Sequence, residues 1–140
     1  MSSSYEEYKE DFKKLIPLLE SIKPSPDTDA IKYSDSVGLI RLEIRLNIFN
    51  LCSSIEDKIK TDIAESLEFF NKYNDFSQIE RATFLGLANG VIHHIASIMY
   101  YSDKLLEGYQ AEVQNLIFAT DLMICERDGK SKRSLYNDVH

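Results

Sequence analysis

The sequence contains no tryptophan, only two cysteines and only three histidines among its 140 residues. The two cysteines form neither a CxxC redox pair nor a zinc-ligand spacing, so the usual redox and zinc motifs are absent. Because Cys52 and Cys125 each lie in an apolar helical pattern, we expect both thiols to be buried. No metal or other cofactor is predicted.

The sequence also lacks the features of a secretory signal. Its first residues have no positively charged region, no apolar run and no small-residue cleavage site, so we expect a cytoplasmic protein. The most apolar window, 82–101, has the length of a membrane span, but four polar residues interrupt it. We therefore expect a buried core helix and no membrane association. The four polar residues are Asn89, His93, His94 and Ser97.

Positive charge is in deficit. Sixteen Lys and Arg stand against 23 Asp and Glu, which gives a formal net charge of -7. Such a chain repels phosphate backbones and anionic membranes, so nucleic acid is an unfavourable partner and a basic protein a favourable one. The length of 140 residues and the 44% hydrophobic content are those of one folded domain.

Hydrophobic periodicity predicts an all-α, single-domain bundle of four to five helices. Helix 1 is predicted to begin at the S-x-x-E pattern of Ser4–Glu7, which has the spacing of a capping box. Pro17 lies inside the helical pattern and is expected to kink or restart the helix. Residues 24–35, which include Pro24 and Pro26, are predicted to form the longest loop.

The segment 39–49 is ambiguous, because apolar and polar residues alternate there as in a strand. The alternative fold is therefore α+β, with a small hairpin that uses these residues. We favour a helix, because isoleucines recur at steps of three and four from Ile40 to Ile63. Helix 2 is then predicted from about Ser36 to Tyr73, with a break near Ser53.

Two further helices are predicted after helix 2. A second capping-box spacing at Ser77–Glu80 begins a helix that ends near Tyr101 and is expected to be central. The last helix is predicted from Lys104 to about Glu126, with Gly129 as its C-cap. The bundle would then comprise residues 1–129, followed by a polar tail at 130–140. Small residues on the central helix are expected to allow close helix packing; they are Ala82, Gly86 and Gly90.

A ladder of polar residues, Asn89, His93 and Ser97, is spaced four apart along the most apolar helix. Buried polar groups need hydrogen-bond partners, so we expect these side chains to bond loop backbone or to bridge two helices. Neither H-E-x-x-H nor E-x-x-H occurs, which argues against a metal or catalytic role for His93.

The acidic surface and the eight tyrosines indicate a protein–protein interaction module. A concrete version is an inhibitor or immunity-type protein that neutralises a basic partner, such as a nuclease toxin. Self-association through the small-residue stripe and the Tyr100–Tyr101 pair is a further prediction. The predicted partner-binding residues are Tyr5, Glu6, Glu7, Asp57, Asp62, Glu65, Tyr100 and Tyr101.

The C-terminus supplies an alternative function. Arg133 and His140 are separated by six residues. This spacing resembles the R-x4-6-H motif of the HEPN family, which consists of small α-helical bundles. The resemblance covers eight residues and implies a metal-independent ribonuclease, in which the arginine holds the scissile phosphate and the histidine transfers a proton.

Overall fold

The residues that the structure describes form an all-α bundle of four helices, as the sequence predicts. The computed structural model describes residues 4–22, 35–73, 77–104 and 108–139, with the backbone alone described at 35–41 and 130–139. The described residues contain no strand, and 39–49 lie inside a helix, so the α+β alternative is wrong. The helices are α1 (Tyr5–Ser21), α2 (Asp35–Tyr73), α3 (Gln78–Lys104) and α4 (Tyr109–Val139).

Helix α1 begins at Tyr5 as predicted, but Ser4 makes no side-chain capping hydrogen bond. The backbone carbonyl of Ser4 instead accepts from the amide of Glu7 at 3.2 Å. Pro17 does not restart the helix, which continues to Ser21. A proline removes only one intrahelical hydrogen bond, and here its ring lies on the exposed side of the helix.

Helix α2 runs unbroken for 39 residues, so the predicted break near Ser53 is wrong. The apolar residues of α2 that are spaced three and four apart face inward, as the helical interpretation requires. Ile63 is half-buried at the edge of this buried face. The helix reaches Tyr73 as predicted, and residues 74–76 lie outside the described part of the chain. Of the predicted loop at 24–35 only Asp35 is described, and it belongs to α2, so the loop prediction is wrong at that residue. The buried apolar residues of α2 are Ile48, Cys52, Ile55, Ile59 and Phe70.

Helix α3 begins with the predicted capping box. The Ser77 hydroxyl accepts from the Glu80 amide at 3.1 Å, and the Glu80 carboxylate accepts from the Ser77 amide at 2.9 Å. Only one face of α3 is buried, so it packs at a corner of the bundle and is not central. The predicted close packing at Gly86 and Gly90 is also wrong, because a Cβ atom added at either glycine meets nothing within 4 Å.

Helix α4 follows Gly108, whose φ of 108° lies in the left-handed region that glycine adopts without strain. The helix continues through Gly129 to Val139, so the predicted helix end and the Gly129 cap are wrong. The division of the chain into 1–129 and a tail at 130–140 stays a prediction.

The helices form an antiparallel arrangement around one core. Helix α1 packs against α2 and α4, while α3 packs against α2 and most extensively against α4. Aromatic side chains anchor the core where α2 meets α3, since the ring of Phe70 lies edge-on to that of Phe84 at 5.8 Å. Leu15 and Leu19 of α1 and Leu116 of α4 are also fully buried in it.

The two cysteines have opposite environments. Cys52 is buried as predicted, but Cys125 is exposed because it lies about 100° around α4 from the buried Ile124. Burial, with a smaller contribution from Glu56, raises the pKa of the Cys52 thiol to about 12. The reactive thiolate is therefore almost absent from Cys52 near neutral pH.

A Cys125→Ser variant is expected to show almost no reaction of Cys52 with a thiol reagent at mildly alkaline pH. Addition of denaturant should make the same thiol react at the rate of a free cysteine, because unfolding restores both its access and its ordinary pKa. The absorbance of the released chromophore measures both rates. Rapid native labelling would show that Cys52 is not enclosed by the bundle.

Candidate functional site

Three polar side chains meet in the interior where α1, α2 and α4 come together. The Tyr8 hydroxyl donates a hydrogen bond to the Asp62 carboxylate, and the Arg127 guanidinium lies 3.5 Å from the same carboxylate. Arg127 also bonds the Asp128 carboxylate at 3.1 Å. The side chains of Asp62 and Arg127 are only 2% and 7% exposed, so this is a buried ion pair.

Asp62 is among the predicted partner-binding residues, and that prediction is wrong because the residue is buried. It follows Ile55 and Ile59 at steps of four and three, so helix geometry turns it inward with them. A carboxylate can occupy this interior position because Tyr8 and Arg127 hydrogen-bond and neutralise it. Asp62 therefore holds the helices together and is inaccessible to a partner.

A second polar contact fixes α1 against α2. The Lys58 ammonium lies 2.7 Å from the Asp11 carboxylate, which is 9% exposed. Together, the Tyr8–Asp62 and Asp11–Lys58 contacts show that α1 and α2 run in opposite directions. They also fix the register of the two helices, that is, which residues of α1 and α2 lie at the same height along the bundle axis.

Tyr5 lies where the first turn of α1 approaches α4. The side chain is half-buried and packs against the core. Burial raises the pKa of its hydroxyl, and the negative charges of Asp121 and Glu6 raise it further. The Asp121 carboxylate of α4 is therefore close enough to act electrostatically on this tyrosine of α1.

Two exposed carboxylates follow Tyr5 in the sequence. Glu6 and Glu7 are exposed in the first turn of α1, where the positive end of the helix dipole stabilises negative charge. Glu65 of α2 is partly buried and lies at the height of Tyr5, given the contacts that set the two helices in register. We name the set Tyr5, Glu6, Glu7 and Asp121 the acidic patch, with Glu65 at its border.

Asp57 and the tyrosine pair lie away from the acidic patch. Asp57 is exposed, but it lies eight residues before Glu65, which is about 12 Å along α2. Tyr100 is 57% exposed, and Tyr101 is half-buried. Both tyrosines lie near the C-terminal end of α3, where Asp103 forms an ion pair with Arg45 of α2. Arg45 is about 30 Å from Glu65 along α2, so the tyrosine pair is far from the acidic patch.

The predicted buried ladder on α3 is not buried. Asn89 and His93 are exposed and Ser97 is half-buried, because the buried face of α3 carries Ala88 and Ile95 instead. In an apolar helix either side can face the core, and the neighbouring helices decide which one does. The neighbouring His94, which was not predicted as a site residue, lies with its Nδ1 3.1 Å from the Glu112 carboxylate of α4.

A cleft of about 380 Å³ opens between the end of α1 and the start of α4. Its apolar wall includes Leu19 and Val113, and the Gln110 amide donates to the Glu20 carboxylate at 3.1 Å beside it. The volume is in the range of small-molecule sites. Glu20 is fifteen residues after Tyr5, so the cleft lies about 22 Å from the acidic patch along α1.

The structure does not test the predicted ribonuclease residues Arg133 and His140. The backbone of Arg133 belongs to α4, but its side chain and all of His140 lie outside the described part of the chain. Within the residues that are described, no three His, Cys, Asp or Glu side chains form a group that could hold a metal ion. The R-x6-H site therefore stays a prediction.

The described features define a small acidic helical bundle with a carboxylate-rich patch at one end. Comparisons with known proteins found no matching family model, no matching curated protein and no matching solved structure. By length and composition, α3 is the one helix among the described residues that could cross a membrane, and 28% of its most apolar 18-residue window is buried.

Proposed function

We propose that this protein is an interaction module that recognises a basic protein partner through the acidic patch. One observation carries the proposal: α1 packs against α4, and this brings Asp121 of α4 close enough to Tyr5 of α1 to act on it electrostatically, although the two residues are far apart in the sequence. Carboxylates around a tyrosine offer a basic partner both opposite charge and a large contact surface. A concrete form is an inhibitor or immunity-type protein of the cytoplasm that covers the active site of a nuclease toxin.

A rigid base beneath the acidic patch supports this proposal. The Tyr8–Asp62–Arg127 cluster and the Asp11–Lys58 ion pair lie within two turns of Tyr5 along α1. Backbone that is already fixed loses little conformational freedom when a partner binds. The carboxylates are thus presented at set positions before the encounter.

Tyr5 suits the centre of such an interface. A tyrosine hydroxyl is protonated at neutral pH, so the group can donate a hydrogen bond. The ring can also accept a lysine or arginine over its face. The net charge of -7 adds a longer-range attraction that accelerates encounter with a cationic protein.

The test is affinity capture from the source organism with wild-type protein and a patch variant. The patch variant carries Glu6→Gln, Glu7→Gln and Asp121→Asn, which remove three charges and nearly preserve side-chain shape. We expect the wild type to capture one basic protein. The patch variant should bind that protein at least about tenfold more weakly, which corresponds to about 1.4 kcal/mol.

A matched control removes the same number of charges elsewhere. Glu20→Gln, Glu43→Gln and Asp57→Asn alter exposed carboxylates away from the acidic patch and give the same net charge as the patch variant. The control should retain the partner. Equal weakening of both variants would show that total charge, and not the acidic patch, governs binding. Capture of no basic protein by the wild type would contradict the proposed function.

A further inference from the structure

The outward face of α3 has unusual composition for an exposed surface. The segment 82–102 contains no Asp, Glu, Lys or Arg, although charged residues make up 28% of the chain. Gly86 and Gly90 have no side chains, and a Cβ atom added at either position meets nothing within 4 Å. We call this open space the depression. Interface centres are depleted of charge in the same way, and small residues allow two helices to approach closely.

The neighbouring outward face of α4 carries large apolar side chains. Phe118 is 65% exposed and Leu122 is 40% exposed, four residues apart on one side of the helix. The same stripe continues toward the start of α4 with Asn115 and Ala111, both exposed and uncharged. Helix α4 therefore presents protruding side chains beside the depression on α3.

The protrusion and the depression lie at the same height. Helix α4 begins five residues after the end of α3 and packs along it, so the two helices run in opposite directions. His94 contacts Glu112 at 3.1 Å. Counting from that contact at equal rise per residue, Gly90 is level with residue 116 and Gly86 with residue 120. Phe118 therefore stands level with the midpoint between the two glycines.

We propose that two copies of this chain pair through the outward faces of α3 and α4. The two-fold axis runs along the groove between these helices, so α3 of each copy faces α4 of the other. A rotation about this axis preserves height along the helices. It therefore places Phe118 of each copy over Gly86 and Gly90 of the other, which makes the face complementary to itself.

Size and charge favour a second copy as the occupant. Helix α4 begins level with residue 97 of α3, so the two-helix face is about 30 Å long and about 20 Å wide. Its area of about 600 Å² is at the lower end of what one partner contributes to a specific interface. A chain of net charge -7 repels its own copies over most of its surface. Segment 82–102 of α3 and the α4 stripe of Ala111, Asn115, Phe118 and Leu122 carry no charge, so two copies can meet there with little repulsion.

Sedimentation equilibrium of the full chain tests the pairing over a range of concentrations. The wild type should show twice the monomer mass of 16.1 kDa. Phe118→Gln removes the protruding ring without altering the core, because this side chain is mostly exposed. It should raise the dimer dissociation constant at least about tenfold, as expected for a central aromatic contact.

A second variant tests the depression itself. Gly90→Leu has open space in the single copy and is expected to fold, but its side chain would occupy the place of the partner's ring. It should also weaken the dimer, whereas Ile16→Gln on α1 should not. Circular dichroism checks that each variant is folded.

Three results would overturn the proposal. The wild type could sediment as a monomer throughout, or both face variants could dimerise as tightly as the wild type. The chain could also bind neutral phosphatidylcholine vesicles as a monomer, with α3 as the apolar surface. That outcome would assign the uncharged face to lipid, in keeping with the hydropathy of α3.

Discussion

Replacement of Arg127 by methionine should lower the free energy of unfolding by about 3 to 5 kcal/mol. Methionine retains much of the aliphatic volume of arginine but removes the cation beside the Asp62 carboxylate. That carboxylate is 2% exposed, so water cannot replace the lost partner. Urea unfolding of the single variant, followed by circular dichroism, measures the loss.

A double variant separates the loss of a partner from the loss of an ion pair. Arg127→Met with Asp62→Leu removes both charges, so no buried charge is left alone. We expect it to be more stable than Arg127→Met by itself, as found when buried ion pairs are replaced by apolar side chains. Asp57→Asn, an exposed change on the same helix, should alter stability little. If Arg127→Met costs no more than this control, the cluster does not stabilise the bundle.

Truncation of Phe84 to alanine is the second change with a large expected effect. Phe84 is fully buried and its ring lies edge-on to Phe70, so the substitution leaves a cavity between α2 and α3. Lost burial and the cavity together should cost about 3 to 5 kcal/mol. The midpoint of urea unfolding should fall accordingly, with an unchanged slope if the denatured state is unaffected.

An exposed apolar residue provides the comparison for Phe84. Ile16 is 41% exposed on α1, so Ile16→Ala loses fewer contacts and should cost less than about 1 kcal/mol. Equal losses for the two substitutions would mean that the interface between α2 and α3 is not the packed core described above.

Local patterns predicted the helices better than their ends. The three-and-four spacing in α2 outweighed the alternation at 39–49, because only the helical register continues beyond that segment. The same S-x-x-E spacing formed a capping box at Ser77 but not at Ser4. Gly129 did not end α4, because a glycine stop is a preference that an otherwise continuous helix can override.

The candidate site was only partly predictable. Three members of the acidic patch are consecutive in the sequence, so the prediction that helix 1 begins there already places them in the same helical turn. They are Tyr5, Glu6 and Glu7. Asp121 and Arg127 come from α4, and nothing in the linear sequence indicates that α4 packs beside the start of α1. The direction in which Asp62 points depends on the same packing, which is why a carboxylate predicted on the surface is buried.

The salt dependence of binding to the captured basic partner tests the central claim most directly. The dissociation constant would be measured by calorimetry at low and high salt for the wild type and for the variant with Glu6→Gln, Glu7→Gln and Asp121→Asn. If the acidic patch forms the interface, wild-type binding should weaken as salt rises, and the variant should be weaker at low salt and less sensitive to salt. Equal salt sensitivity in the two proteins would contradict recognition through the acidic patch.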